Sequence, residues 1–391
     1  MRPANFWFSL NDKVQHQLEE VIYAVAISPN GTWLLTGGSS RILRIWSLSS
    51  GRLNQSIHIG SDITAVSWVA MNWRCHTFWV GSSDGSGCLY FAPTPSHANI
   101  WFHRIGWRFF MLKNDVPYSP FSLAGRSSVP GPVESLAACG NIVAVVGNKD
   151  IEIWKAEIHV RGFGAGSITF SLSSLRHDPK TDSLESSPLL DSSHQFELSM
   201  FTGKRVHTVH FPSNQEILVS LVDSNPAGLN SIIASYHLKP WKLVKAVSFN
   251  RRVGSAALSE DGRTFAFTNL LNGVEIFALP RLNHCGTIAQ AIHQEANVTL
   301  GIAFLSNEHI VVGGFGGICI YQVSSMSQAY SLQNSTGNDP CRCISVVPTR
   351  NILAAGSSKG VLAIWTWKDV RITRFFYSSP SPLTFDLVDY S

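Results

Sequence analysis

Apolar residues run along this chain in short bursts, each broken by a cluster of Gly, Ser, Asn or Asp. The stretch "LLTGGSSRILRIWSL" (Leu34–Leu48) shows the grammar. Two runs rich in Leu, Ile and Trp flank the small residues Gly37, Gly38, Ser39 and Ser40, and this pattern predicts a β-hairpin. An isolated hairpin is marginal in water, so a stable fold needs the pattern to recur.

It recurs six more times. "ILAAGSSKGVLAIWTW" (Ile352–Trp367) and "IVAVVGNKDIEIWKA" (Ile142–Ala156) keep both the glycine and the Trp. "TFWVGSSDGSGCLYFA" (Thr77–Ala92) carries an aromatic pair where the Trp stood. "TFAFTNLLNGVEIFAL" (Thr264–Leu279) and "HIVVGGFGGICIYQV" (His309–Val323) follow the same plan, and a looser copy spans Glu216–Leu238. A further apolar strand precedes each hairpin, joined to it by turns such as "SPNG" (Ser28–Gly31) and "SEDG" (Ser259–Gly262). Equivalent marks at Ile27, Trp68, Ala137, Phe211, Leu258, Phe304 and Val347 step by roughly 41, 69, 74, 47, 46 and 43 residues. A period of about 40–45 residues, with three strands and an outer fourth, is that of a propeller blade. The spacing predicts an all-β, seven-bladed β-propeller of four-stranded antiparallel blades, a single domain over residues 1–391. The two long steps predict insertions at about 92–132 and 156–205.

The hairpins resemble those of the WD-repeat (WD40-like) propeller family, in Gly38 to Trp46, Gly147 to Trp154 and Gly356 to Trp365. The chain departs from that pattern in several places. The family's Trp-Asp pair reads Trp46-Ser47, Trp154-Lys155 and Trp365-Thr366, and the Gly-His pair ahead of each first strand is absent. The turn aspartate is kept at Asp84 and Asp150. The resemblance implies a rigid ring that presents loops to protein partners.

Composition adds limits. Charged residues make up 14% of the chain, low against the usual quarter, and the net charge of +4 does not demand a nucleic acid or an acidic membrane. Seven cysteines are scattered without a CxxC pair. Cys341 and Cys343 stand too close for a zinc knuckle, and several cysteines fall in expected core strands, which suggests a reducing compartment, cytoplasmic or nuclear. The start, "MRPANFWFSLNDK", lacks the apolar run of a signal peptide, and no apolar run reaches membrane-spanning length.

Within the first insertion, "IWFHRIGWRFFML" (Ile100–Leu112) is basic and aromatic. It is expected to be the outer strand of the second blade, with Trp101 and Trp107 on the sheet; an exposed patch for a partner is the competing reading. The second insertion is Ser-rich, and Leu172–Gln195 is expected to be a disordered loop open to phosphorylation. Ring closure needs a strand from one terminus in the blade of the other. "NFWFSL" (Asn5–Leu10) is the expected candidate and "RITRFFY" (Arg371–Tyr377) its rival.

No catalytic, cofactor or metal motif emerges: the chain has no GxSxG, HExxH or P-loop. Trp46, Trp154 and Trp365 are expected to pack between blades. The hairpin turns hold Arg41, Lys149 and Lys359, which predicts a mildly basic face for proteins or peptides, acidic or phosphorylated ones included. "FNRRVGS" (Phe249–Ser255) is similar to the paired-arginine motif of phosphoinositide-binding propellers. There Arg251 and Arg252 could clamp a phosphate, although Val253 interrupts the motif. The leading expectation is a non-catalytic interaction scaffold without nucleic acid; the alternative is a peripheral membrane protein using Arg251 and Arg252.

Overall fold

The computed structural model describes residues 6–10, 16–69, 75–93, 120–147, 150–160, 168–174, 201–225, 227–239, 241–290, 298–333 and 338–369. Every strand among them belongs to one of seven antiparallel sheets, and the helical content is one 3-10 turn, Pro348–Arg350. Blade 1 runs inner to outer through Ile22–Ile27, Trp33–Gly38, Ile42–Ser47 and Leu53–His58. Blades 2 to 6 repeat this order within 63–128, 133–174, 204–249, 256–289 and 302–333. The fold is the seven-bladed propeller that the spacing predicts.

Blade 7 closes the ring. Its strands Cys341–Val347, Ile352–Ser357 and Val361–Asp369 come from the end of the described chain, and its outer strand comes from the start. Phe6 to Leu10 pair antiparallel with Asp369 to Trp365, and His16–Gln17 pair with Leu362 and Val361. The slot considered for Arg371–Tyr377 is therefore filled by Phe6–Leu10; residues 371–377 lie outside the described ones.

The apolar residues gather in seven clusters, one for each junction between neighbouring blades. Each blade is buried on both faces, so its second strand is apolar almost throughout, as in Trp33–Gly38 and Cys75–Ser82, which are buried along their whole length. Fully burying one Leu, Ile or Phe contributes about 1.5–3 kcal/mol, and all seven wedges gain this way.

The Gly…Trp spacing forms a joint between three blades. A Cβ on Gly37 would stand 2.5 Å from Ile63, one on Gly81 2.4 Å from Val133, and one on Gly356 2.6 Å from Ile22. These distances are far inside carbon–carbon contact, so the glycine seats the first inner residue of the following blade. The Trp lies on the preceding blade: Trp46 against blade 7, Trp154 against blade 2 and Trp365 against blade 6. Packing between blades thus accounts for all three. Trp46 also donates its indole N–H to Thr36 Oγ1 at 3.0 Å.

The turn signals hold. Ser28 Oγ accepts from Trp33 N at 2.9 Å and Ser259 Oγ from Thr264 N at 2.8 Å. Gly31 and Gly262 take φ of 70° and 68°, the left-handed region that favours glycine.

Three expectations need correction. The outer strand of blade 2 is Ser122–Ser128, not Ile100–Leu112. Phe121 fixes it there: its ring is buried against Trp33, Trp68 and Phe78, and Gln55 of blade 1 bonds both its N–H (2.8 Å) and its C=O (3.0 Å). Ile100–Leu112, with Trp101 and Trp107, lies outside the described residues. The insertion expected from residue 156 begins later, because the third strand of blade 3 runs through Asp150–Val160. Leu172 to Ser174, expected at the start of a loop, instead end its outer strand Ile168–Ser174, where Ser174 pairs with Trp154; residues 175–195 lie outside the described ones. All seven cysteines are free thiols. Burial pushes the Cys75 thiol up to about 11 and the Cys343 thiol up to about 12.

Candidate functional site

Inner strands converge on the propeller axis, so any side chain shared among many blades must come from them. Five of the seven slip register by one residue at the same level. Ile22 faces Gly38 and Ala24 faces Gly37, which leaves Tyr23 unpaired between them. The same slip leaves out Thr64 in blade 2, Glu134 in blade 3, His207 in blade 4 and Arg342 in blade 7. A bulge of this kind re-aims the extra residue. A cavity of about 170 Å³ opens where these residues meet, lined by Tyr23, Glu134, His207, Ser255, Thr299 and Arg342 among others. Six blades contribute, which places the cavity at the mouth of the central channel.

Its polar wall is ordered. Glu134 of blade 3 pairs with the Arg205 guanidinium of blade 4 and meets His207 Nδ1 at 3.2 Å. Burial works against the Glu134 charge, but His207 and Arg205 outweigh it and hold the carboxyl below its ordinary range. Across the mouth, the Arg342 guanidinium lies over the Tyr23 ring, 5.2 Å from its centroid, within cation–π distance. Sequence reasoning missed this group. The trace it left was a polar or aromatic residue between a buried apolar residue and a small one: Ile22-Tyr23-Ala24, Val133-Glu134-Ser135, Val206-His207-Thr208, Cys341-Arg342-Cys343.

The residues singled out in sequence are dispersed. Arg41 and Lys359 sit on turns at the same end of the ring as the mouth, but on its rim. Arg41 has φ 63°, is 58% exposed and pairs with Asp62 at 3.4 Å. Lys359 donates its N–H to Asp339 Oδ1 at 3.0 Å, and its carbonyl accepts from Gln17 Nε2 at 2.5 Å. Lys149 lies outside the described residues. Asp84 works as a turn residue: burial opposes its charge, yet hydrogen bonds from Ser86, Ser82 and Ser61 hold its carboxyl down to about 2.

Arg251 and Arg252 diverge. Arg251 pairs with Glu275, a buried carboxylate of blade 5, and reaches Asn272 Oδ1 at 3.0 Å. Arg252 turns toward the blade 4 loop and the Asn225 carbonyl, 3.4 Å away. Glu275 also accepts from Asn269 Nδ2 (2.7 Å) and Thr287 Oγ1 (2.8 Å), and meets His284 Nε2 at 2.7 Å. The pair therefore does not present two parallel guanidinium groups to one phosphate.

Comparison with known proteins reaches one repeat. The family described as "WD domain, G-beta repeat" matches residues 11–47. That span holds His16–Gln17, which belong to the outer strand of blade 7, and the inner three strands of blade 1. A protein named "Ribosome biogenesis protein BOP1 homolog", from Dictyostelium discoideum, is 36% identical over 47 residues. The aligned stretch is 12% of this chain and 6% of that protein. With one repeat matched and all seven blades built on one strand plan, the chain resembles the WD-repeat propellers.

Proposed function

We propose that this chain is a non-catalytic scaffold that holds protein partners on the face where the hairpin turns and the channel mouth open. WD-repeat propellers generally bind other proteins, and a rigid ring that presents many loops suits that work. One observation carries the reading: bulged inner-strand residues from several blades are aimed into one cavity at the centre of that face. The partners are proteins or peptides of the cytosol or nucleus, acidic or phosphorylated ones included, and Arg41 and Lys359 on the rim meet them; Lys149, outside the described residues, is grouped with them by its place in the repeat.

The test is capture of partners by the intact chain and by two variants. Arg41→Glu with Lys359→Glu reverses the rim. Arg263→Glu with Arg350→Glu reverses charges at the opposite end of the ring, where the inner strands turn back. Partner loss confined to the rim variant is expected. Retention of every partner by the rim variant rejects this face. The Dictyostelium relative is named for ribosome biogenesis, and ribosome-assembly factors among the captured partners would extend that role to this chain.

A further inference from the structure

We infer that the channel mouth is a carboxylate-binding pocket in which Arg342 grips the side chain of an Asp or Glu from a protein partner. The inference rests on the reading of this face as a protein-binding surface, and it moves the specific contact from the rim to the centre.

The first argument is the state of the cations. Arg205 is paired with Glu134, which also meets His207. Arg342 lines the same cavity, and among the described residues no carboxylate lies within ion-pair distance of it; its guanidinium carbon stands 5.2 Å from the Tyr23 ring centroid. An aromatic ring occupies no N–H donor as a carboxylate would, so the fork stays open to a planar, bidentate acceptor, which carboxylate matches. The contact also restrains the side chain in advance, so less freedom is lost when an anion arrives.

The second argument is charge and size. Glu134 and Arg205 offset one another, which leaves the Arg342 guanidinium as the unbalanced cation among the arginines and carboxylates of the mouth. A monoanion balances this, whereas a phosphate dianion would set a second negative charge against Glu134. The cavity is about 170 Å³, the space of roughly five or six waters at about 30 Å³ each. This suits the end of one side chain. Ser255 and Thr299 lie in the same wall and carry hydroxyl groups.

Fluorescence anisotropy with rhodamine-labelled Gly/Ser nonapeptides tests this, with the full chain and a central Glu, Gln or phosphoserine in the probe. The Glu probe is expected to bind at least tenfold tighter than the Gln probe. Arg342→Gln should weaken the Glu probe at least tenfold and erase its preference over Gln. Tyr23→Leu, which removes the ring and keeps the cation, should weaken it severalfold. Arg41→Gln with Lys359→Gln should change it less than twofold. Unaltered circular dichroism and melting temperature establish that the variants fold. Equal binding of Glu and Gln probes, or undiminished Glu binding by folded Arg342→Gln, overturns the proposal. So does a phosphoserine probe that binds tenfold tighter than Glu. If the probes fail while the rim variant still loses its partners, the pocket falls and the scaffold stands. If the probes bind as expected while the rim variant keeps every partner, the pocket stands and the rim falls.

Discussion

Two glutamates in this ring have the same kinds of neighbour and opposite uses. Glu275 meets Arg251 and His284; Glu134 meets Arg205 and His207. Glu275 is 6% exposed in its side chain and takes further hydrogen bonds from Asn269 and Thr287 within its own blade. Its acceptor sites are filled, and nothing else can reach it. Glu134 is 20% exposed, joins blade 3 to blade 4 and borders an open space. An arginine beside a glutamate is thus a fastener when the carboxylate is saturated and shut in, and part of a recognition surface when the group opens on a cavity. Saturation and burial make the distinction; residue type does not.

The contrast is broken most directly at Glu275. Glu275→Ala leaves Arg251, Asn269 and His284 without their acceptor. Removing one partner of a buried pair costs about 3–5 kcal/mol, and the low end, about 3 kcal/mol, applies because Arg251 is 35% exposed. Urea unfolding measures it, and a loss below about 1 kcal/mol would mean that Glu275 is no fastener. Burial opposes the Glu275 charge, but Asn269, Thr287, His284 and Arg251 hold the carboxyl below its usual range. Its contribution is therefore present above the unfolded pKa of about 4.5 and lost as pH falls through the lower folded value.

Histidine sharpens the same contrast within a single strand. His207 faces the channel, while His210, three residues on, turns its ring inward, edge-on to Phe265 with centroids 5.5 Å apart. Its Nε2 is buried without a hydrogen-bond partner among the described residues, and burial pushes its pKa down to about 4. An unfolded histidine titrates near 6.5. As pH falls from about 6.5 to about 4, the unfolded chain takes up a proton that the folded chain refuses, so stability falls across that window. The loss expected from His210 between pH 7.5 and 4.5 is roughly 2 kcal/mol, and His210→Phe should remove it. Urea midpoints at the two pH values decide the matter: an acid loss that persists undiminished in His210→Phe assigns it to other groups.

The smallest effect belongs to Glu134. Glu134→Gln keeps the shape and weakens two part-exposed contacts, so about 1 kcal/mol is expected, against about 3 kcal/mol at Glu275. The melting temperature of this variant should stay close to that of the parent chain. A loss equal to that of Glu275→Ala would erase the distinction between the two glutamates.

What the sequence made legible follows from the same physics. The hairpin glycines and the three Trp residues were visible because they recur with the repeat, and several meet the neighbouring blade, Gly37 under Ile63 and Trp46 on blade 7. Turns were visible because Ser28–Gly31 and Ser259–Gly262 are local. The channel mouth was not, because a bulge is a property of register between two strands, and Tyr23 or Arg342 alone does not announce it. Arg251 and Arg252 were visible as a pair but misleading. Their partners lie in different blades, and Glu275 hides inside the apolar run "GVEIFA". A lone acid in a buried strand was the sign that a distant cation had to come to it.

The strand pairing that completes blade 7 has a consequence in time. Phe6 pairs with Asp369 and Leu10 with Trp365. During translation, at roughly 5–20 residues per second, the segment made first waits tens of seconds for its partner to leave the ribosome. Blades 1 to 6 can form in order as they emerge, but Phe6–Leu10 stays unpaired until Val361–Asp369 has emerged, and an unpaired strand invites foreign ones. Docking of Phe6–Leu10 on Val361–Asp369 ends that interval.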